Sequence, residues 1–225
     1  MADGTVALGL SAGSAVSINP KVWPCEDSVA VVREGSTVIA AVADGHWGGA
    51  SAELVAAGLE EAWQATGSLV GALQRLDAAL WRTLRVAGDP SETTALVVRL
   101  AGRELSWASV GDSLLLVASR GELLLVNGPA PGGPSFLGRA PLAAFGDALE
   151  VDAGTLVLEP DAVVLLATDG LEWDASGLTP AEIARILTGP GTPHARVERL
   201  LVAADGPAGG RDNLGVVLLA PQWQP

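Results

Sequence analysis

Four aspartates, Asp27, Asp44, Asp169 and Asp212, share one description: each stands at the start or end of a strongly apolar run, beside Gly, Asn or Ser. Hard carboxylate oxygens, with no cysteine cluster and no paired histidines, suit Mg²⁺ or Mn²⁺ rather than structural zinc. Two such ions about 3.5–4 Å apart can bridge a water, lower its pKa and clamp both the attacking and the leaving oxygen of a phosphoryl group. The chemistry these residues could do is therefore hydrolysis of a phosphate ester. The pivot is Ala41 to Gly49, AVADGHWGG, where an apolar run ends in an acid, a glycine and a histidine. Gly45 allows a sharp turn, so its carbonyl as well as the Asp44 carboxylate could face one cation. Taken alone, Asp-Gly is equally a plain turn.

The elements around these acids explain how distant residues could meet. Thr37 to Ala43 reads as a buried strand and Ser28 to Arg33 as its partner, joined by a tight turn at Glu34-Gly35. In that hairpin Asp27 begins one strand and Asp44 ends the other, so both lie at one sheet edge. Val6 to Leu10 is a further strand. Helical spacing runs from Gly49 to Ala65 and again from Ser68, a candidate N-cap, to Val86, with Gly67 between them. Thr93 to Leu100, Glu104 to Val110, Leu114 to Ser119 and Glu122 to Val126 follow as strands, in the manner of a meander. Asn127 to Gly138 is rich in Gly and Pro and reads as an irregular connection anchored by Phe136 and Leu137. Strands at Thr155 to Leu158 and Ala162 to Thr168 lead to Asp169-Gly170, where the Asp44-Gly45 pattern recurs. Thr179, Pro180 and Glu182 open a helix to Leu187, His194 to Ala203 is another, and Leu214 to Leu219 is the last strand. With no repeat and no long linker, one domain over residues 1–225 is expected.

Composition narrows the function classes. The 225 residues are 49% apolar and 17% charged, ample for a large core. The formal charge of −13 argues against nucleic acid and anionic membrane as partners, because both need clustered Lys and Arg. Bound divalent cations would offset part of that charge. A single cysteine, Cys25, excludes an internal disulfide and is expected as a small buried residue. No run approaches the roughly 18 uncharged apolar residues of a membrane span. With no basic leader at the N-terminus, a cytoplasmic location is expected. Abundant Ala, Gly, Leu and Arg beside one lysine, Lys21, points to a GC-rich bacterial genome.

Six short motifs follow in order: Glu26-Asp27; Ala43-Asp44-Gly45-His46 with Gly48-Gly49; Thr93-Thr94-Ala95; Val110-Gly111-Asp112-Ser113; Ala167-Thr168-Asp169-Gly170-Leu171; and Arg211-Asp212-Asn213. Together they resemble the ordered motifs of the type 2C, metal-dependent Ser/Thr protein phosphatases, in a divergent, bacterial-type form. The resemblance implies an α+β fold, a central antiparallel β-sandwich flanked by helices on both faces. It implies that Asp27, Asp44, Asp169 and Asp212, with the Gly45 carbonyl, hold two Mn²⁺ or Mg²⁺ ions, and that Asp44 bridges them. Asp112 matches an acid that, with the Asp169 position, holds a third, weaker ion; it reads equally as a polar turn residue. Glu26 is expected to support the ligands rather than bind metal itself. His46 matches a histidine that protonates the leaving alkoxide, a role suited to a pKa near neutrality; it too could be a hydrogen-bonded turn residue. A hydroxide bridging the two ions would attack phosphorus directly, on a phosphoserine or phosphothreonine of a protein partner, such as a target of a Ser/Thr kinase in signalling.

The sequence also departs from that pattern. Val22 stands where relatives commonly carry a phosphate-binding Arg, and Lys21 beside it is the candidate phosphate-binding residue, as a point charge rather than a fork. Trp47 interrupts the motif after His46 and shields the site, binds a partner or packs in the core. Glu172 shifts Asp174 from an expected acidic position, and the Asn127 to Gly138 connection is short for the flap of bacterial relatives. These departures keep open a second reading, a catalytically weak or inactive phosphatase-like module that binds or regulates.

Overall fold

The inner strands are unbroken apolar runs because both of their faces are covered. In Thr37–Ala43, Val38, Ala40 and Val42 enter one core while Ile39, Ala41 and Ala43 enter another. Val163–Ala167 and Leu214–Leu219 divide their side chains in the same way. Period-two alternation sets which core each side chain joins, and full burial on both sides removes the polar face a two-layer protein would show. The edge strand Asp152–Val157, covered on one face only, alternates half-buried and exposed residues.

The computed structural model describes residues 6–14, 25–128, 135–139 and 149–220, and of residues 173 and 174 only the backbone. Chain order is β1 (Val6–Ser11), β2 (Ser28–Glu34), β3 (Thr37–Ala43), β4 (Gly45–His46), α1 (Ala50–Thr66), α2 (Leu69–Ala87), β5 (Glu92–Thr93), β6 (Ala95–Ala101), β7 (Glu104–Val110), β8 (Leu114–Ser119), β9 (Glu122–Leu125), β10 (Asp152–Val157), β11 (Val163–Ala167), a 3₁₀ turn at Asp169–Leu171, a one-turn helix at Trp173–Ser176, α3 (Pro180–Thr188), α4 (Pro193–Asp205) and β12 (Leu214–Leu219). One sheet has the order β1-β12-β11-β8-β9, the other β10-β7-β6-β3-β2, and β4 pairs with β5 apart from both. Every pairing is antiparallel. Helices α1 and α2 cover the outer face of the second sheet, and α3 and α4 that of the first. This is the expected α+β sandwich in four layers with three apolar cores.

Local signals set the helix ends. Ser68 caps α2 by accepting from the Gly71 N–H at 3.3 Å, and Gly67 closes α1 in a left-handed conformation. Thr179 and Glu182 form a reciprocal capping box ahead of α3, with Pro180 at its first position.

Three expectations are corrected. The strands from β6 to β9 are not one meander: β6 and β7 pair in one sheet, β8 and β9 in the other, and the chain crosses between sheets at Gly111-Asp112-Ser113. The first of them starts at Ala95, because Thr93 pairs instead with Gly45. Cys25 is half-buried rather than fully enclosed. Among the described residues no helix is long and apolar enough to cross a membrane.

The middle layer makes a specific demand on packing. Leu96 is fully buried between the sheets, so Leu96→Ala should cost about 2–5 kcal/mol in denaturant unfolding with the m-value unchanged.

Candidate metal-binding and phosphatase site

Register gathers the acids at one edge of the sandwich. Ser28 faces Ala43, so Asp27 just before β2 and Asp44 just after β3 leave the sheet side by side. Ala167 faces Val216 and Leu114, and Ala95 faces Val110, so the segments carrying Asp169, Asp212 and Asp112 depart from the same edge. Asp27 and Asp44 are only 5% and 2% exposed, whereas Asp169, Asp212 and Asp112 are half-buried.

The backbone at Asp44 is held from both sides by Thr93 and Thr94. The Asp44 N–H donates to Thr94 Oγ1 at 3.2 Å, and the Asp44 carbonyl accepts from the Thr94 N–H at 3.0 Å and from Thr93 Oγ1 at 2.9 Å. These bonds carry the chain straight on into β4, so Asp44-Gly45 is not the plain turn its dipeptide allows. What requires glycine at 45 is close approach. A Cβ there would lie 2.5 Å from the Glu26 carbonyl oxygen, to which the Gly45 N–H donates at 3.2 Å. The turn comes later, at Trp47 and Gly48, with φ of 63° and 129°. That left-handed Trp47 backbone leaves the side chain 76% exposed, which rules out core packing.

One hydroxyl ties the two sheets together at the acids. Thr168 Oγ1 donates to Asp27 Oδ2 at 2.6 Å and accepts from the Gly215 N–H at 2.9 Å. Beside it, a Cβ at Gly170 would collide with the Asn213 carbonyl oxygen, so only glycine lets the Asp169 and Asp212 segments touch. Asn213 in turn accepts from the Glu26 N–H at 2.8 Å and donates to the Ala12 carbonyl at 3.0 Å, which joins the Asp212 segment to the one bearing Asp27. This gives Glu26 a supporting backbone role.

Electrostatics show how closely the carboxylates converge. Burial pushes the Asp27 carboxyl well above the usual range, and the charges of Asp44, Asp169 and Asp212 push it further, against the stabilising Thr168 hydrogen bond. Among the described residues, Asp27 Oδ1 is buried with no hydrogen-bond partner. A crowded set of hard oxygen donors, one of them buried and unsatisfied, fits a divalent cation with oxygen preference. Among the described residues no three His, Cys, Asp or Glu side chains already stand close enough to hold an ion.

Asp112 sits apart from this group. It lines a small cavity with Ser113, Asn127 and Glu172, and among the described residues its Oδ1 is buried with no hydrogen-bond partner. His46 Nε2 lies 3.4 Å from Asp44 Oδ2, and its ring meets Phe136 edge-on at 4.7 Å between centroids. Sequence reasoning took Phe136 only as an anchor and missed Thr168 as the bridge between sheets, because both contacts join residues far apart in the chain. Lys21 and Val22 lie outside the described residues, as does the Asp174 side chain.

The four-layer sandwich, with its acids on one edge, is the fold of the PPM-type bacterial Ser/Thr phosphatases. The structure matches the Ser/Thr phosphatase of S. agalactiae with a TM-score of 0.78 at 20% identity, over 96% of this chain and 98% of that one. It matches the PPM Ser-Thr phosphatase MsPP of Mycobacterium smegmatis, solved with cacodylate, with a TM-score of 0.74 at 21% identity, over 96% and 97%. The catalytic domain of PstP, solved with two manganese ions, gives 0.71 at 21% identity, over 96% and 98%. No family model and no curated protein matches the sequence.

Two outcomes follow. Because the folded Asp27 carboxyl titrates above its unfolded value, the ion-free protein should lose stability as pH rises from about 4 through that raised pKa. Asp27→Asn should flatten this loss and raise Tm at pH 8 in EDTA, read by thermal unfolding across pH. Gly45→Ala should lower Tm and abolish any rise in Tm produced by Mn²⁺, because the backbone must move away from Glu26.

Proposed function

We propose that this chain is a metal-dependent phosphatase that removes phosphate from phosphoserine or phosphothreonine in proteins. The observation that supports it most is the convergence of the Asp44, Asp169 and Asp212 charges on the buried Asp27 carboxyl, whose Oδ1 has no hydrogen-bond partner among the described residues. The solved structures that share the fold are Ser/Thr phosphatases, one of them holding two manganese ions.

In this reading Asp27, Asp44, Asp169 and Asp212, with the Gly45 carbonyl, hold two divalent cations, Mn²⁺ or Mg²⁺, and Asp112 contributes to a third, weaker position. When bound, such ions lower the pKa of water and neutralise charge on the phosphoryl oxygens. Thr168 holds the Asp27 carboxylate in one orientation, and Thr93 and Thr94 hold the Asp44 backbone so that its carboxylate and the Gly45 carbonyl stay fixed. His46, half-buried between Asp44 and the Phe136 edge, donates the proton that the departing serine or threonine oxygen needs, because an alkoxide is a poor leaving group near neutral pH.

The test is hydrolysis of a small aryl phosphate and a phosphothreonine peptide by stripped protein titrated with Mn²⁺ or Mg²⁺. Turnover should depend on the ion and vanish in Asp169→Asn, while His46→Gln should lower kcat by about 10²–10⁴-fold with little change for a leaving group of low pKa. No turnover by folded, ion-loaded protein would support the binding or regulatory module instead.

A further inference from the structure

We propose that Arg139 binds the phosphoryl group undergoing hydrolysis; this rests on the phosphatase reading and names a residue that holds its substrate. Two independent contacts bring Arg139 to the edge of the site. Its guanidinium carbon lies 5.9 Å from the centroid of Phe136, the ring that meets His46 edge-on. Its Nε lies 3.6 Å from Glu92 Oε2, and Glu92 is the residue directly across from His46 in the β4–β5 pair.

The segment that carries Arg139 is pinned from behind. Leu137 is fully buried and exchanges backbone hydrogen bonds with Thr93, at 2.8 and 3.2 Å. The buried carboxylate of Asp77 on α2 accepts from the Gly138 N–H at 2.8 Å. The backbone entering Arg139 is therefore fixed to the same two-strand ribbon that carries His46, while the side chain is 68% exposed. Its ion pair with Glu92 is loose. At 3.6 Å the Glu92 contact is longer than the roughly 2.7–2.9 Å of a charge-assisted hydrogen bond, and only its arginine end is exposed, the Glu92 side chain being 13% exposed.

A guanidinium so placed has a use here. A phosphoryl dianion approaching a chain of net charge −13, at an edge lined by aspartates, gains from a cation that is not itself a metal ion. The planar fork of Arg matches two phosphoryl oxygens at once, which a lysine ammonium cannot do. Swinging from Glu92 to phosphate exchanges a long contact for a short bidentate one. The sequence offered Lys21 for this role; Arg139 is a separate residue, distant in the chain, on an element that also touches His46.

The experiment compares wild type, Arg139→Ala, Arg139→Lys, Lys21→Ala and, as a remote control on α2, Arg75→Ala. Each is assayed on an aryl phosphate and a phosphothreonine peptide, and each ion-loaded protein is titrated with inorganic phosphate by calorimetry. Arg139→Ala should raise KM for both substrates and the Kd for phosphate by about tenfold or more, the loss of roughly one charge-assisted contact. Arg139→Lys should recover part of this, and Arg75→Ala none of it should change. The Mn²⁺-induced rise in Tm should persist in Arg139→Ala, which separates substrate binding from ion binding. Unchanged phosphate affinity in Arg139→Ala, a loss confined to the peptide, or a loss found only in Lys21→Ala would overturn the assignment. Failure of the phosphatase reading looks different: wild type itself would then turn over neither substrate.

Discussion

Holding like charges together in a dry place is the constraint on which the rest of this structure depends. Asp27 and Asp44 are almost wholly buried and Asp169 and Asp212 close in from the opposite sheet, so their charges raise the cost of ionising Asp27. A fold that keeps such a group must fix it with bonds that do not depend on the acids themselves. It does so through the backbone, by strand register and by the Thr93 and Thr94 contacts on Asp44, while the Thr168 hydroxyl, itself fixed by the Gly215 N–H, adds one bond to the Asp27 carboxylate. Bound cations would then turn a destabilising cluster into a ligand set, with stability gained from the site only when it is filled.

The two sheets divide this labour. One supplies the buried pair through the β2–β3 hairpin; the other supplies Asp169 and Asp212 through the ends of β11 and β12. Contact between the sheets at their shared apolar core brings the two pairs into range, and Gly170 against Asn213 sets how closely their segments approach. The small β4–β5 ribbon stands outside both sheets and carries the groups around His46. His46 is on one strand, Glu92 on the other, and Phe136 and Arg139 lie against them.

Much of this was legible in the sequence because it follows from local pattern. The hairpin that pairs Asp27 with Asp44, the Ser68 cap and the Thr179–Glu182 capping box rest on neighbouring residues alone. What was not legible depends on partners far along the chain. Gly111-Asp112-Ser113 has the composition of a hairpin turn, and only packing of the two sheets decides that it crosses between them. Asp44-Gly45 looks like a turn until Thr93 and Thr94 pair with it, which moves the real turn to Trp47. The contact of Phe136 with His46 and the place of Arg139 follow from the Leu137–Thr93 bridge, for which short-range pattern carries no signal.

The central claim is that the acids on this sandwich edge form one site for divalent cations. Direct measurement of Mn²⁺ binding, by the electron paramagnetic resonance signal of the free ion during titration, tests it without reference to turnover. The account predicts at least two ions bound per chain in the wild type and a loss of the tight sites in Asp44→Asn. A wild-type protein that leaves all Mn²⁺ free, or an Asp44→Asn protein that binds as the wild type does, would contradict it.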